Sequence, residues 1–145
     1  MNITIPISVG RSVQEVWEGF NENLFLALNP PFPPAKLLRF DGSMKHDEIH
    51  IELNFIFFKQ TWISTITDQM ASPNEIYFVD EGKKLPFFLR YWRHKHRIVK
   101  NGNGATIIEE ITYKTPSLIT DYLLYPLMYL QFIYRKPIYQ KIFKI

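Results

Sequence analysis

The sequence predicts an α+β fold in which a curved antiparallel sheet of about seven strands wraps around a long C-terminal helix, with two short helices after the first strand. Three observations indicate this fold. Apolar and polar residues alternate in the first strand and again between residues 36 and 115, helical spacing follows the first strand and returns after residue 117, and short turn signals separate the strands. A length of 145 residues fits one domain covering residues 1–145.

The N-terminal segment changes from a strand to two short helices. Ile3, Ile5 and Ile7 alternate with Asn2, Thr4 and Pro6, which is the period of a half-buried strand. A Ser-x-x-Glu capping box then precedes the helical sequence VQEVWEGF. The second helical sequence, ENLFLALN, should end before the PPFPP segment, because proline cannot continue a helix.

The central segment predicts about six strands separated by turns. The sequence Asn-Gly-Asn-Gly at residues 101–104 is a strong hairpin signal, and Ser-Pro-Asn at residues 72–74 is another turn. Strands joined by such short turns are antiparallel neighbours. The predicted strands cover residues 37–40, 49–57, 60–69, 75–79, 87–100 and 105–114.

The C-terminal segment, residues 118–145, is the longest candidate helix, which Pro126 and Pro137 should kink or break. Residues 122–134 are apolar on nearly every side of the helix, so the helix must bury more than one face. One face packs against the sheet, and the other is covered by a partner chain, a lipid surface or a bound ligand. The stretch is shorter than the roughly 20 residues of a membrane span. Since the N-terminus also lacks the features of a secretory signal, we expect a cytoplasmic protein.

The composition excludes several classes of function. There is no cysteine, and therefore no disulfide framework, thiolate metal site or cysteine nucleophile. Neither a G-x-S-x-G nucleophile motif nor a phosphate-binding P-loop occurs. The unusual feature is the aromatic content, 16% of the residues, and these aromatic side chains are candidates to line a cavity held open between the sheet and the C-terminal helix.

The order of elements, together with the segments GKKLPFFLRYWRHKHRI and NGNGATIIEEITYKTP, resembles the START/polyketide-cyclase-like superfamily, also called SRPBCC, whose fold is the helix-grip. The resemblance covers essentially the whole chain. Its most particular part combines a Leu-Pro-Phe entry at residues 85–87, a centre at Trp92, His94 and His96, and a Tyr-x-x-Pro exit at Tyr113 and Pro116. Members bind apolar molecules such as lipids, sterols, polyketides and quinones, and some are cyclases or hydratases. The resemblance implies fold and ligand class better than chemistry, because the superfamily shares no catalytic residue.

The leading hypothesis is therefore a protein that binds a hydrophobic or amphipathic molecule, lipid-, polyketide- or quinone-like, between the sheet and the C-terminal helix. We expect no cofactor. The tyrosines are of interest because a buried phenol needs a hydrogen-bond partner and can orient a ligand. The candidate aromatic ligand-binding residues are Trp17, Phe55, Trp62, Phe78, Trp92, Tyr113, Tyr122, Tyr125 and Tyr129.

Two histidines and a glutamate are the candidates for polar contacts and for catalysis. Strand alternation places His94 and His96 on one face with Trp92, and Glu109 of the next strand comes within reach across the hairpin. These three residue types suit general acid/base catalysis and also a metal site. Histidines two apart on a strand beside Trp and Arg are more often a satisfied polar patch or a ligand contact, so we expect no metal. A non-catalytic binding protein is favoured; the alternative is a cyclase or hydratase in which His94 or His96 moves a proton.

The remaining alternative is a module that docks onto a membrane or a protein through its basic strand and its apolar C-terminal helix. Seven basic residues lie between positions 83 and 100, and three of them, Arg93, Lys95 and Arg97, alternate along a strand. Such alternation is typical of a solvated face, so we expect no nucleic-acid partner. Peripheral membrane contact and a choice between monomer and homodimer stay open at this point.

Overall fold

The computed structural model describes residues 1–144 and contains one antiparallel sheet with the strand order β1-β7-β6-β5-β4-β3-β2. The seven strands confirm the predicted fold class. Their bounds are β1 Asn2–Val9, β2 Ala35–Phe40, β3 Glu48–Asn54, β4 Lys59–Ala71, β5 Glu75–Lys84, β6 Tyr91–Asn101 and β7 Gly104–Lys114.

Four helices complete the fold. They are α1 Val13–Glu18, α2 Glu22–Ala27, α3 Leu118–Ile133 and α4 Arg135–Ile142. The predicted capping box is present, since Ser12 accepts a hydrogen bond from the Glu15 backbone and Glu15 bonds back to Ser12. Asn21 caps α2 by accepting a hydrogen bond from the Leu24 backbone N–H, without a reciprocal bond.

The strand order places the first and the last strands side by side. β1 pairs with β7 in an unbroken register from Asn2 opposite Thr112 to Val9 opposite Ala105. The inward residues of β1 are buried as the alternation predicted, namely Ile3, Ile5 and Ile7. The sheet therefore depends on contacts between residues about a hundred positions apart in sequence.

Two predicted strands are too long at one end. β3 ends at Asn54 instead of residue 57 because the chain turns at Ile56, whose φ is +77°. β6 begins at Tyr91 instead of residue 87, since Pro86 accepts a hydrogen bond from the Leu89 backbone and closes a turn. The β3–β4 and β5–β6 loops are therefore longer than predicted, and both lie at the same end of the sheet.

The C-terminal segment forms two helices, and only one of the two prolines expected to kink or break it lies near the break. Pro126 lies inside α3 without ending it, whereas α3 and α4 are separated at Tyr134, three residues before Pro137. Proline at that position provides no N–H to the preceding turn, which accounts for the break. The break turns Arg135 and Tyr139 of α4 toward the sheet. Among residues 1–144, none of the helices has the length and apolarity to cross a membrane.

Candidate functional site

A cavity of about 430 Å³ lies between the sheet and the helices α2 and α3. Strands β2 to β6 supply one side, and the α3 side chains Leu124, Met128 and Phe132 supply the other. Most of the lining side chains are apolar or aromatic. This volume lies within the range of roughly 300–1,000 Å³ that is usual for small-molecule sites.

One side of the cavity is polar. We call this side the polar wall and define it as Asp80 of β5, His94 and His96 of β6, Glu109 of β7, and Arg135 and Tyr139 of α4. All except Glu109 line the cavity; Glu109 is fully buried directly behind the histidines. The polar wall is thus built from three adjacent strands and the last helix.

Strand register explains why these side chains meet. Asp80 is opposite His94 in the β5–β6 pair, and His96 is opposite Glu109 in the β6–β7 pair. Residues two apart on a strand share a face, so the two histidines lie side by side, with ring centroids 3.6 Å apart. A carboxylate therefore flanks the histidine pair on each neighbouring strand.

Glu109 is the centre of the buried contacts. Its Oε2 accepts a hydrogen bond from His94 Nε2, and its Oε1 accepts from Tyr139 Oη at 2.6 Å and from Arg135 Nη1 at 3.2 Å. His96 Nδ1 lies 3.1 Å from Glu109 Oε2 but points away from the hydrogen-bond direction, so it has no hydrogen-bond partner. Both oxygens of this fully buried carboxylate are nevertheless satisfied.

Asp80 holds the other side of the histidine pair. Its Oδ2 lies 2.9 Å from His96 Nε2 and 3.8 Å from His94 Nδ1, and its Oδ1 accepts a hydrogen bond from Trp92 Nε1 at 3.1 Å. Each imidazole ring therefore lies between Asp80 and Glu109. The Trp92 ring also packs edge-on against Trp62, with centroids 4.9 Å apart, which fixes the indole that orients Asp80.

The carboxylates of the polar wall are ionised in spite of their burial. Burial alone would raise the pKa of Glu109, but the charges of His94 and His96 outweigh it and hold that pKa well below its usual range. Burial also opposes ionisation of Asp80, whose pKa is lowered by the hydrogen bond from His96 and by the charges of both histidines. The wall therefore contains two negative charges.

The basic groups respond to these charges differently. Burial lowers the pKa of His94, and the charge on His96 lowers it further. For His96, burial also acts against the charged form, but the charge of Glu109 and the hydrogen bond to Asp80 raise the pKa. Arg135 stays charged because Glu109 more than compensates for burial, while burial and Glu109 together raise the pKa of Tyr139 well above its usual range. The two adjacent histidines therefore respond in opposite directions, with the pKa lowered for His94 and raised for His96.

The structure brings half of the predicted ligand-binding residues to the cavity. Those that line it are Phe55, Trp62, Phe78, Trp92, His94 and His96. All six are on the inward face of a strand or directly follow one, where alternation indicates the face reliably. Glu109 shares that face, but the histidines and α4 separate it from the open space.

The other predicted residues lie elsewhere. Trp17 packs beside Phe78, with ring centroids 6.0 Å apart, and does not line the cavity. Tyr113 is buried and donates its hydroxyl to the Asp121 carbonyl oxygen; burial raises its pKa to about 12. Tyr122 and Tyr129 are 63% and 40% exposed, and Tyr125 packs against the core, because the inward face of α3 is the one carrying Leu124, Met128 and Phe132.

Three residues of the polar wall, Asp80, Arg135 and Tyr139, were not predicted from the sequence. Asp80 continues the inward alternation of Ile76 and Phe78, but the predicted strand ended at residue 79. Arg135 and Tyr139 are four residues apart and so share a helix face, yet nothing in the sequence showed that α4 turns this face toward Glu109. The alternation that indicates Asp80 was present in the sequence, whereas the orientation of Arg135 and Tyr139 depends on tertiary packing.

Exposed apolar side chains lie at the edge of the cavity lining or in the loop that follows the lining residue Phe55. We call them the apolar rim: Phe32, Ile56, Phe57, Phe58 and Phe87. Phe57 is 93% exposed and Ile56 is 75% exposed. The loops that carry them touch, since the Phe58 and Phe87 rings are 5.5 Å apart and the Phe87 backbone donates to Gln60 Oε1 at 2.5 Å. The rim is contiguous with Phe55 and Phe88, which line the cavity.

Comparison with known proteins identifies similar structures but no similar sequences. No protein-family model and no curated protein matches the chain. The ZhuI aromatase/cyclase from Streptomyces sp. R1128 superimposes with a TM-score of 0.66 at 11% identity, covering 94% of this chain and 89% of the other. Protein Ms6760 from Mycobacterium smegmatis gives 0.64 at 16% identity, covering 92% and 84%. Norcoclaurine synthase from Thalictrum flavum gives 0.63 at 12% identity, covering 88% and 82%.

Proposed function

We propose that this chain, which has the helix-grip fold, binds an amphipathic small molecule, lipid-, polyketide- or quinone-like, in the cavity between the sheet and α3. The observation that carries this proposal is the contrast inside the cavity, where an apolar space of about 430 Å³ meets a single polar wall. Sites for small molecules combine a mostly apolar lining with a few convergent polar groups in this way.

The apolar lining provides most of the affinity in this proposal. Each Å² of apolar surface removed from water contributes about 25 cal/mol before the cost of ordering the ligand is subtracted. The polar wall provides the orientation. His94, His96 and Asp80 present donors and acceptors to the cavity, so an oxygen-bearing end of the ligand is placed against them and the apolar body extends toward the rim.

Native mass spectrometry of the freshly purified protein, followed by solvent extraction, tests the proposal directly. We expect a stoichiometric apolar compound, or uptake of an added fluorescent fatty acid by the extracted protein. The matched variants are Leu124→Trp, which fills the cavity, and Leu123→Trp, which adds the same indole at a neighbouring exposed position. Only Leu124→Trp should abolish uptake. Equal uptake by both variants, or no bound compound and no uptake by the wild type, contradicts the proposal.

Proton transfer to or from a bound molecule is a second candidate function, as in a cyclase or hydratase. It is favoured by the placement of His94 and His96 in the cavity lining with Glu109 directly behind them, because a general acid or base needs both access to the substrate and a group that orients its ring. In this case His94→Ala and His96→Ala abolish turnover and leave the uptake of the fluorescent fatty acid nearly unchanged. Loss of uptake in both variants would instead assign the histidines to binding.

We also propose peripheral contact between the apolar rim and an anionic bilayer. Exposed aromatic side chains at the mouth of a ligand cavity suit the membrane interface, and Lys59 and Lys84 lie at the strand ends beside them. Sedimentation with vesicles containing phosphatidylserine tests this contact. Phe57→Ser should reduce binding, and the same substitution at Met44, an exposed apolar residue in another loop, is the control.

A further inference from the structure

We propose that Asp80, His94 and His96 form a binding site for one divalent transition-metal ion, such as Zn²⁺ or Fe²⁺, that opens into the cavity. One ligand atom of each residue lies within 4.8 Å of those of the other two, and all three residues are buried. Imidazole together with carboxylate is a donor set that such ions favour. The proposal goes beyond ligand binding and departs from the expectation, drawn from the sequence, that no metal is bound.

The distances from Asp80 to the two histidines suit a shared ion, and the donor nitrogens of the histidines lie within 4.8 Å of each other. Asp80 Oδ2 is 2.9 Å from His96 Nε2 and 3.8 Å from His94 Nδ1. Two donors that each lie about 2.0–2.2 Å from one ion are separated from each other by roughly 3.0–3.6 Å in tetrahedral or octahedral geometry. The two distances from Asp80 differ from this range by only a few tenths of an ångström, so small rotations of the side chains bring these donors to coordinating distances.

Glu109 supports both histidines from behind. Metal-binding histidines almost always donate their second ring N–H to a carboxylate or a carbonyl. Here Glu109 Oε2 contacts the second nitrogen of each ring, bonding His94 Nε2 and lying 3.1 Å from His96 Nδ1. An ion on His96 Nε2 leaves the ring proton on Nδ1, which is the buried nitrogen that has no hydrogen-bond partner. A small rotation of the ring would then let this Nδ1–H donate to Glu109 Oε2, 3.1 Å away, so that the buried nitrogen gains a partner.

Charge and space agree with this assignment. The two carboxylates of the polar wall outnumber its one arginine, and Arg135 binds Glu109 on the oxygen opposite the histidines, so it does not compete for the proposed site. Since Asp80, His94 and His96 all line the cavity, the remaining coordination positions are accessible from it. A water molecule or an oxygen of a bound molecule would complete the coordination.

Titration of the chelator-treated full-length protein with Co²⁺ tests the proposal, because Co²⁺ reports its ligands through visible absorption bands. We expect one ion per chain with absorption typical of nitrogen and oxygen ligands. His94→Ala, His96→Ala and Asp80→Asn should each remove these bands. Glu109→Gln should weaken Co²⁺ binding about 10- to 100-fold while keeping the bands, as expected for a residue that supports a ligand.

The controls are the two other histidines, at positions 46 and 50, which lie outside the cavity lining. His46→Ala and His50→Ala should leave the Co²⁺ titration unchanged. Anomalous diffraction from Zn²⁺-soaked crystals of the wild-type protein locates the ion even if a buried variant fails to fold. Failure of the wild type to bind, an ion located away from Asp80, His94 and His96, or Co²⁺ bands that persist in all three variants would overturn the proposal.

Discussion

The polar wall and the apolar rim lie at two regions of one cavity and are built in opposite ways. The wall consists of charged groups on regular strands and on α4, buried and bonded to one another. The rim consists of aromatic and aliphatic side chains on loops, and each of them is at least 46% exposed. A buried ionic network is costly to disturb, whereas an exposed apolar residue adds little to stability. Substitutions in the wall should therefore lower the free energy of unfolding, whereas substitutions in the rim should affect surface binding and leave stability nearly unchanged.

The largest loss of stability is expected when Glu109, the central acceptor of the polar wall, is removed. Glu109→Ala removes the acceptor of His94, Arg135 and Tyr139 together and leaves buried donors without a partner. We expect a loss of about 3–5 kcal/mol in the free energy of unfolding. Urea denaturation followed by circular dichroism measures it.

The neighbouring Glu110 provides the control for this change. It pairs with Arg97 at 3.0 Å on the outer, partly exposed face, so Glu110→Ala should cost only about 0–1 kcal/mol. Equal losses in the two variants would show that the wall contributes no more to stability than a surface ion pair does.

A smaller effect is expected from a single hydroxyl of the wall. Tyr139→Phe keeps the ring but removes the 2.6 Å hydrogen bond to Glu109, and a hydrogen bond to a charged group contributes about 1.5–3 kcal/mol. Tyr134→Phe is the matched control at an exposed position, with an expected change within about 0.5 kcal/mol. The thermal unfolding midpoints of both variants distinguish them, and indistinguishable midpoints would place Tyr139 outside the network.

Asp121 lies outside the wall and the rim, and its contribution to stability should depend on pH. Asp121 accepts hydrogen bonds from the Thr115 backbone and hydroxyl, each at 2.6 Å, and the pKa of Asp121 is lowered by them. A carboxyl whose pKa is lower in the folded state stabilises the protein above its unfolded pKa, and this stability is lost as the pH falls through the folded pKa.

Asp121→Asn should therefore destabilise the protein at about pH 7 and have a smaller effect at about pH 3, where the carboxyl of the wild type is largely protonated in the unfolded chain. Urea denaturation at the two pH values checks this. An effect that does not change with pH would mean that the hydrogen-bond geometry, rather than the charge, is what Asp121 contributes.

The smallest effect on stability is expected at the rim. Phe57 is almost fully exposed, so Phe57→Ser should change the free energy of unfolding by no more than about 0.5 kcal/mol, while vesicle binding falls. A large loss of stability without any change in vesicle binding would show that the rim is a structural element, and the contrast with the wall would disappear.

Much of the fold could be predicted from the sequence because its signals are local. The isoleucine alternation of β1, the capping box at Ser12 and the Asn-Gly turn between β6 and β7 each act within a few residues, and the structure contains all three. The strand ends were less predictable. Residues 55–58 and 86–89 are as apolar as strands, and their turns are stabilised by backbone contacts that composition does not show.

The candidate site was predictable only where strand alternation determines the face. His94, His96 and Trp92 followed from it, and so did the proximity of Glu109, since the hairpin register places it opposite His96. The α3 tyrosines did not follow, because a helix that is apolar all round has no preferred inward face in its sequence. Their positions depend on how the helix packs on the sheet.

The pairing of β1 with β7 also affects how the chain folds during its synthesis. The ribosome adds about 95 residues between the end of β1 and the start of β7, which takes roughly 5–20 s at typical rates. Throughout that time the inward isoleucines of β1 lack their partner strand. The nascent chain therefore exposes an apolar strand until β7 emerges, and the polar wall, which needs β7 and α4, is among the last parts to assemble.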